Sequence, residues 1–401
     1  LATQDVFERV IRSRKGKEKA LGDIWLDGQT VSYSAFPLAP PVLMNFQPTR
    51  PTTTSFAVPS FLLSYSLASR TITFHASNSQ THQKVLEDDD TFWDWFSEAQ
   101  IALSVPSTSR HQRGWQGGWV GWMSYEMKEE SLQGYHRKER KAATSSDEVD
   151  ACWAWTDWLL ERSPSGEWTL RGLIADETSS PRVAHPGGLL AWLHSLDLGV
   201  GLTIEDHANI LSSVQASLAG HPQETTRPAS AFPRFHPIAN GSDYQSRIGL
   251  SRESIRQGDS YELTLTTAFK SQVSSETDPY ELYVRLRTFN PAYYSTYISF
   301  PSVKTPRGTG VHVLSSSPER FLKIERTADG SRVEMMPIKG TKARVKPGQC
   351  VCVPGKGCEG KQPGSEECLI EGRRVDVERG QQLQADLKER AENLMVSTMG
   401  G

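Results

Sequence analysis

A chain of 401 residues, 37% hydrophobic and 23% charged, can form one large domain or two ordinary ones with a substantial core. A net charge of −3 gives no electrostatic case for nucleic acid or an anionic membrane. No apolar run approaches the roughly 20 residues of a membrane span, no secretory leader pattern opens the chain, and five cysteines suit a reducing, cytoplasmic setting better than a disulfide framework.

"LATQDVFERVIRSRKGKEKA" (1–20) begins as an amphipathic helix with Val6, Val10 and Ile11 on one side, and its basic run reads as solvated. "RTITFHAS" (70–77) alternates as a strand. After the solvated run "EDDD" (87–90), "TFWDWFSEAQIAL" (91–103) predicts a helix capped by Thr91, with Phe92, Trp95, Phe96 and Ile101 near one face. In "GWQGGWVGWMSYEM" (114–127), glycines and tryptophans crowd a strand-like segment. Glycine there marks a bulge or a close backbone approach, and the tryptophans read as core or, alternatively, as ligand contacts. A polar loop (128–148) precedes "ACWAWTDWLLERSPSGEWTLRGLIA" (151–175), which predicts a hairpin turning at Ser163–Gly166.

Residues 220–241 hold four prolines and little periodicity, and read as a linker between an N-terminal region (1–219) and a C-terminal one (242–401). Ser242 and Gln245 fit a capping box, and Gly258 fits the position past that helix. "SYELTLTTAFK" (260–270) alternates as a strand. A helix at about 278–288 and strands in "YYSTYISF", "GVHVLSSS", "RFLKIER" and "RVEMMPI" follow, giving an α+β fold with a large antiparallel sheet. An insertion at 345–370 carries Cys350, Cys352, Cys358 and Cys368; their spacing allows zinc or free thiols. The last segment, 374–396, predicts a helix with Leu383, Leu387, Ala391 and Leu394 as its stripe.

Lys339, in "MMPIKGTKAR", ends an apolar strand-like run and precedes a glycine. An unperturbed lysine is neutral in only about 1 molecule in 2,500 at pH 7. Desolvation can lower its pKa to ~7–8, a cost to the ammonium of roughly 3–4 kcal/mol. By itself the position suits a strand-end lysine in a salt bridge as well as a nucleophile. Glu319 in "SSSPER" could protonate a leaving hydroxyl. Glu392 in "KERAENLMV" lies at the edge of a helical stripe, where a carboxylate can reach Mg²⁺.

"GDSYELTLT", "SSSPERF", "PIKGT" and "RAENLMV", in this order and spacing, resemble the chorismate-utilising enzymes over about residues 242–396. "GGWVGWMSYE" (117–126) resembles that family's N-terminal glycine-rich strand. The resemblance implies two stacked antiparallel β-sheets flanked by helices, chorismate as substrate and Mg²⁺ as cofactor. Anthranilate and isochorismate synthases carry alanine where this chain has Lys339, whereas the aminodeoxychorismate-forming branch carries lysine. The resemblance therefore implies that Lys339 attacks ring carbon 2 of chorismate, Glu319 acts as general acid, Gly340 and Thr341 contact substrate, and Glu392 binds Mg²⁺. Ammonia would come from a glutamine amidotransferase domain or subunit outside this chain. Anthranilate formation and a non-catalytic module that binds an amidotransferase are the alternatives. Thr264 stands where the family commonly has asparagine, and "STMGG" follows "AENLMV" where the family continues with more glutamates. These departures imply a catalytic domain incomplete at its C-terminus and little activity for the chain as written.

Overall fold

Successive side chains of a strand point to opposite faces. In β1 (Asp23–Asp27) this sends Ile24 one way and Trp25 the other, and both are fully buried, so the strand is covered on two sides. The computed structural model describes residues 3–12, 21–27, 54–76, 80–87, 90–103, 117–131, 149–163, 165–172, 204–219, 233–303, 310–327, 330–336 and 366–387, together with residues 305, 308, 342, 345 and 390. After β1 the strands are β2 (Thr54–Ala57), β3 (Phe61–Ser66), β4 (Thr71–Ala76), β5 (Thr81–Val85), β6 (Gly118–Met123), β7 (Ala151–Thr156), β8 (Trp158–Arg162) and β9 (Trp168–Gly172). There follow β10 (His236–Pro237), β11 (Phe269–Lys270), β12 (Tyr294–Phe300), β13 (Val311–Ser317), β14 (Arg320–Thr327) and β15 (Gly330–Met336). The helices are α1 (Thr3–Val6), continued as a wider turn over Phe7–Arg12, then α2 (Phe92–Leu103), α3 (Ile204–Ala219), α4 (Gly241–Gln257), α5 (Pro279–Phe289) and α6 (Glu366–Ala385).

The chain divides into two units, residues 1–220 with 282–401, and residues 221–281. In the first, strands β13-β12-β1-β2-β8-β9 form one antiparallel sheet and β5-β4-β3-β7-β6 another. Their inner faces meet: Ile24, Ala57, Leu159, Ile298 and Phe300 of the first pack with Leu62, Cys152 and Ala154 of the second. On the far side of the five-stranded sheet, Phe92, Trp95, Ala99 and Leu103 of α2 cover Phe61, Leu63, Tyr65 and Phe74. On the far side of the six-stranded sheet, Phe7 packs on Trp25 and Phe56 at ring distances of 4.9 and 5.1 Å, and Tyr283 of α5 packs on Trp25 and Tyr297. The result is the α+β arrangement of two stacked antiparallel sheets flanked by helices.

Local details follow the sequence in part. Val6, Val10 and Ile11 are buried. Thr91 caps α2, its hydroxyl accepting from the Asp94 N–H at 3.1 Å. Ile101, expected on the buried face of that helix, is 65% exposed; Ala99 and Leu103 continue the 3.6-residue repeat instead. The glycine-rich segment makes the expected close approach: a Cβ on Gly121 would lie 2.1 Å from the Cys152 carbonyl oxygen of β7. Trp119 and Trp122 beside it pack against the two cores, as side chains of a structural strand do. The hairpin expected over 151–175 is instead β8–β9, because the run breaks at buried Asp157 and leaves β7 in the other sheet.

In the second unit, α4 is capped by Asn240 rather than Ser242: the Asn240 Oδ1 accepts from the Asp243 N–H and the Ser242 hydroxyl, both at 2.8 Å. Gly258 closes the helix in the left-handed conformation (φ 85°). The strand expected over 260–270 shortens to Phe269–Lys270. Alternation makes a strand only where a neighbour supplies a ladder, and His236–Pro237 supplies one for two residues. Helix α6 starts at Glu366, earlier than expected, and ends at Ala385, with Leu387 beyond it 78% exposed.

One buried pair in the layer between the sheets sets a pH response. His75 on β4 lies 3.0 Å from the Ser64 hydroxyl on β3, and burial pushes its pKa down to about 4. The unfolded chain binds a proton there below about pH 6.5, while the folded one does not until about pH 4. Stability therefore falls as pH drops across that window, by up to about 3 kcal/mol. Urea midpoints of wild type and His75→Gln at pH 7, 5 and 4 check it: the variant loses most of this slope, and an equal slope in both proteins refutes the assignment.

Candidate functional site

The candidate carboxylate, Glu319, sits where the chain leaves the six-stranded sheet for a two-stranded ribbon. β13 pairs with β12 along its whole length and ends with Ser317 opposite Tyr294. Pro318, which has no N–H and so cannot extend the ladder, turns the chain. The Ser317 hydroxyl braces this corner from both sides, donating to the Glu319 carbonyl oxygen at 2.9 Å and accepting from the Glu319 N–H at 3.3 Å. Glu319 is half-buried there.

β14 and β15 form the ribbon, paired from Thr327 opposite Gly330 back to Arg320 opposite Met336. Glu319 therefore lies at the end of the ribbon where β15 finishes at Met336. Lys339, Gly340 and Thr341 fall outside the described residues, as do Glu392 and three of the insertion's cysteines, Cys350, Cys352 and Cys358. The ribbon register sets Met336, the last residue of β15, opposite Arg320 of the "SPER" segment.

Charged residues that the sequence reading left unassigned surround this end. The Arg320 guanidinium forms an ion pair with Glu334, and its central carbon lies 5.7 Å from the Tyr294 ring centroid. Arg332 approaches Glu334 at 3.9 Å, and Lys323 faces Glu334 across the ladder. The Asp329–Gly330 dipeptide between two strand-like runs was the available signal for a hairpin, but Gly330 itself pairs with Thr327, and the observed register with its shift brings Arg320 near Glu334.

Among the described residues, no group of three or more His, Cys, Asp or Glu side chains is placed to hold a metal ion, and no helix is long and apolar enough to cross a membrane. Cys152 is fully buried between the sheets, where desolvation pushes its thiol pKa up and disfavours the nucleophilic thiolate.

Residues 58–400 match the chorismate binding enzyme family. The chain belongs to that family. It is 30% identical over 284 residues to the probable aminodeoxychorismate synthase, chloroplastic, of Oryza sativa subsp. japonica, covering 70% of this chain and 27% of that protein. It is 29% identical over 286 residues to the aminodeoxychorismate synthase of Streptomyces pristinaespiralis, covering 70% and 34%. It is also 26% identical over 231 residues to anthranilate synthase component 1 1 of Haloarcula marismortui, covering 57% and 40%. The chain thus spans between about a quarter and two fifths of the length of these relatives.

Proposed function

We propose that these residues carry the chorismate-aminating part of an aminodeoxychorismate synthase, which replaces the 4-hydroxyl of chorismate by an amino group on the way to 4-aminobenzoate and folate. The reading rests on the lysine of the "PIKGT" motif in the sequence, together with Glu319, which the Ser317 hydroxyl holds at the corner between β13 and the ribbon. The names of the rice and Streptomyces relatives support the same reading.

In this proposal the neutral Lys339 amine bonds to ring carbon 2. The ring double bonds shift, the C4–O bond breaks, and Glu319 supplies the proton with which the hydroxyl leaves as water. The new secondary ammonium gives up a proton. Ammonia then bonds to carbon 4, the double bonds shift back, the C2–N bond breaks, and the amine returns to Lys339 with a proton shed by the incoming nitrogen. Gly340 lets the substrate approach the backbone closely, and Thr341 offers a hydroxyl to a substrate carboxylate. Mg²⁺, held by Glu392, would offset substrate negative charge. The ammonia would be delivered by a glutamine amidotransferase domain or subunit.

The Haloarcula relative keeps anthranilate formation as a second reading. The products decide between them. The gene product that carries these 401 residues, given chorismate, Mg²⁺ and ammonium, is expected to yield 4-amino-4-deoxychorismate, identified by chromatography against a standard. Fluorescent anthranilate as the main product would establish the rival.

A further inference from the structure

We propose that Arg320 is a positioning residue that fixes the direction of the Glu319 carboxyl. This rests on the reading of Glu319 as general acid. The Ser317 hydroxyl already restrains the backbone of Glu319. On the other side of Glu319, the Arg320 side chain is tied to two different elements, the Glu334 carboxylate on β15 and the Tyr294 ring on β12. Residues 319 and 320 share a peptide, so holding the Arg320 side chain between ribbon and sheet limits the backbone dihedrals there and sets the direction in which the Glu319 side chain leaves the chain.

The ladder shows the same constraint. Arg320 pairs with Met336, whereas Lys323 pairs with Glu334, so one extra residue is inserted on β14 between them. Such a bulge bends the strand and re-aims side chains. Arg320 consequently reaches diagonally to Glu334 rather than lying beside its own cross-strand partner. A planar guanidinium satisfies this geometry better than an ammonium, because its donors are fixed in a fork. Acids that protonate a leaving group must be held to small tolerances, and a misplacement of about 1 Å can cost on the order of 100-fold in rate.

The test compares Arg320→Ala, Arg320→Lys, Glu334→Gln and the exchange Arg320→Glu/Glu334→Arg with Glu319→Gln in the same gene product, assayed with chorismate and ammonium across pH. For Arg320→Ala, kcat is expected to fall about 10- to 100-fold with KM changed less than about threefold, and the pH limb that Glu319→Gln abolishes is expected to shift. Arg320→Lys keeps the fold and the charge but not the fork, and recovers part of the rate. The exchanged pair recovers more activity than Arg320→Glu or Glu334→Arg alone, both assayed beside it.

Unchanged kcat in Arg320→Ala overturns the role, as does a loss of rate with an unmoved pH profile and a melting temperature lowered in proportion. An active Glu319→Gln with an intact pH profile removes the general acid itself, and so refutes the underlying reading. Inactive Glu319→Gln with wild-type Arg320→Ala refutes the positioning role alone.

Discussion

Replacing Asp27 by alanine is expected to lower the unfolding free energy by about 3–5 kcal/mol, the usual result of removing one partner from a buried ion pair. Asp27 ends β1 with its side chain only 2% exposed. Its Oδ2 accepts from the Arg287 Nε at 2.6 Å and from the Tyr283 hydroxyl at 3.2 Å. The guanidinium also lies 4.6 Å from the Trp25 ring centroid. Burial, with the Asp27 carboxylate next in order, pushes the Tyr283 pKa up, so the phenol stays a donor at every pH the fold experiences. Alanine would leave the guanidinium over an indole without its counter-charge and the phenol without its acceptor. Both penalties fall on the packing of α5 against the six-stranded sheet. Asp27→Asn keeps an acceptor of similar shape and is expected to lose less. Because the groups touch, Asp27→Ala with Arg287→Ala should cost clearly less than the two single changes added together. Urea titration followed by tryptophan fluorescence measures the four variants against wild type, and an Asp27→Ala loss below about 1 kcal/mol would show that the pair contributes little net stability.

Nothing around Asp27 in the sequence announces this. "DIWLD" is three consecutive apolar residues between two aspartates, with no alternation to assign Asp27 to a face, and aspartate is a residue type seldom fully buried. Its partners lie 256 and 260 residues away. The same distinction runs through the fold. Features set by neighbours in sequence were legible: the cap at Thr91, the left-handed Gly258, and the alternation of β4, β12 and β13. Features set by which strand lies beside which were not. The run from Ala151 to Arg162 has one continuous β-prone pattern, but Asp157 passes it from one sheet to the other. The alternation of 260–270 is as clean as that of β4, yet only two residues find a ladder. At the candidate site, Glu319 and Lys339 were chosen by residue type and motif. The corner that holds Glu319 at the end of the ribbon, and the Arg320–Glu334 brace beside it, depend on a register with a bulge that periodicity does not encode.

Lys339→Ala is expected to reduce formation of 4-amino-4-deoxychorismate by at least about 100-fold, because the nucleophile of the proposed route is replaced by a methyl group. Loss of rate alone would also follow from a damaged site, so the position of the nitrogen is the sharper readout. In the proposed route, carbon 2 is occupied by the lysine when ammonia arrives, and carbon 4 is the position left open. Without the lysine, ammonia meets an unblocked carbon 2, and the residual product should shift toward the 2-amino compound. Glu319→Gln should behave differently. It removes the proton donor but not the block, so the rate falls by about 10²–10⁴ while the nitrogen still enters at carbon 4. Since the proposed route has both residues serve one step, the double variant should be little slower than the slower single one. Chromatography of the products from the three variants separates the roles. Undiminished amination at carbon 4 by Lys339→Ala would remove the lysine from the mechanism. Residual product from that variant still aminated only at carbon 4 would leave it a contact rather than the group that directs nitrogen.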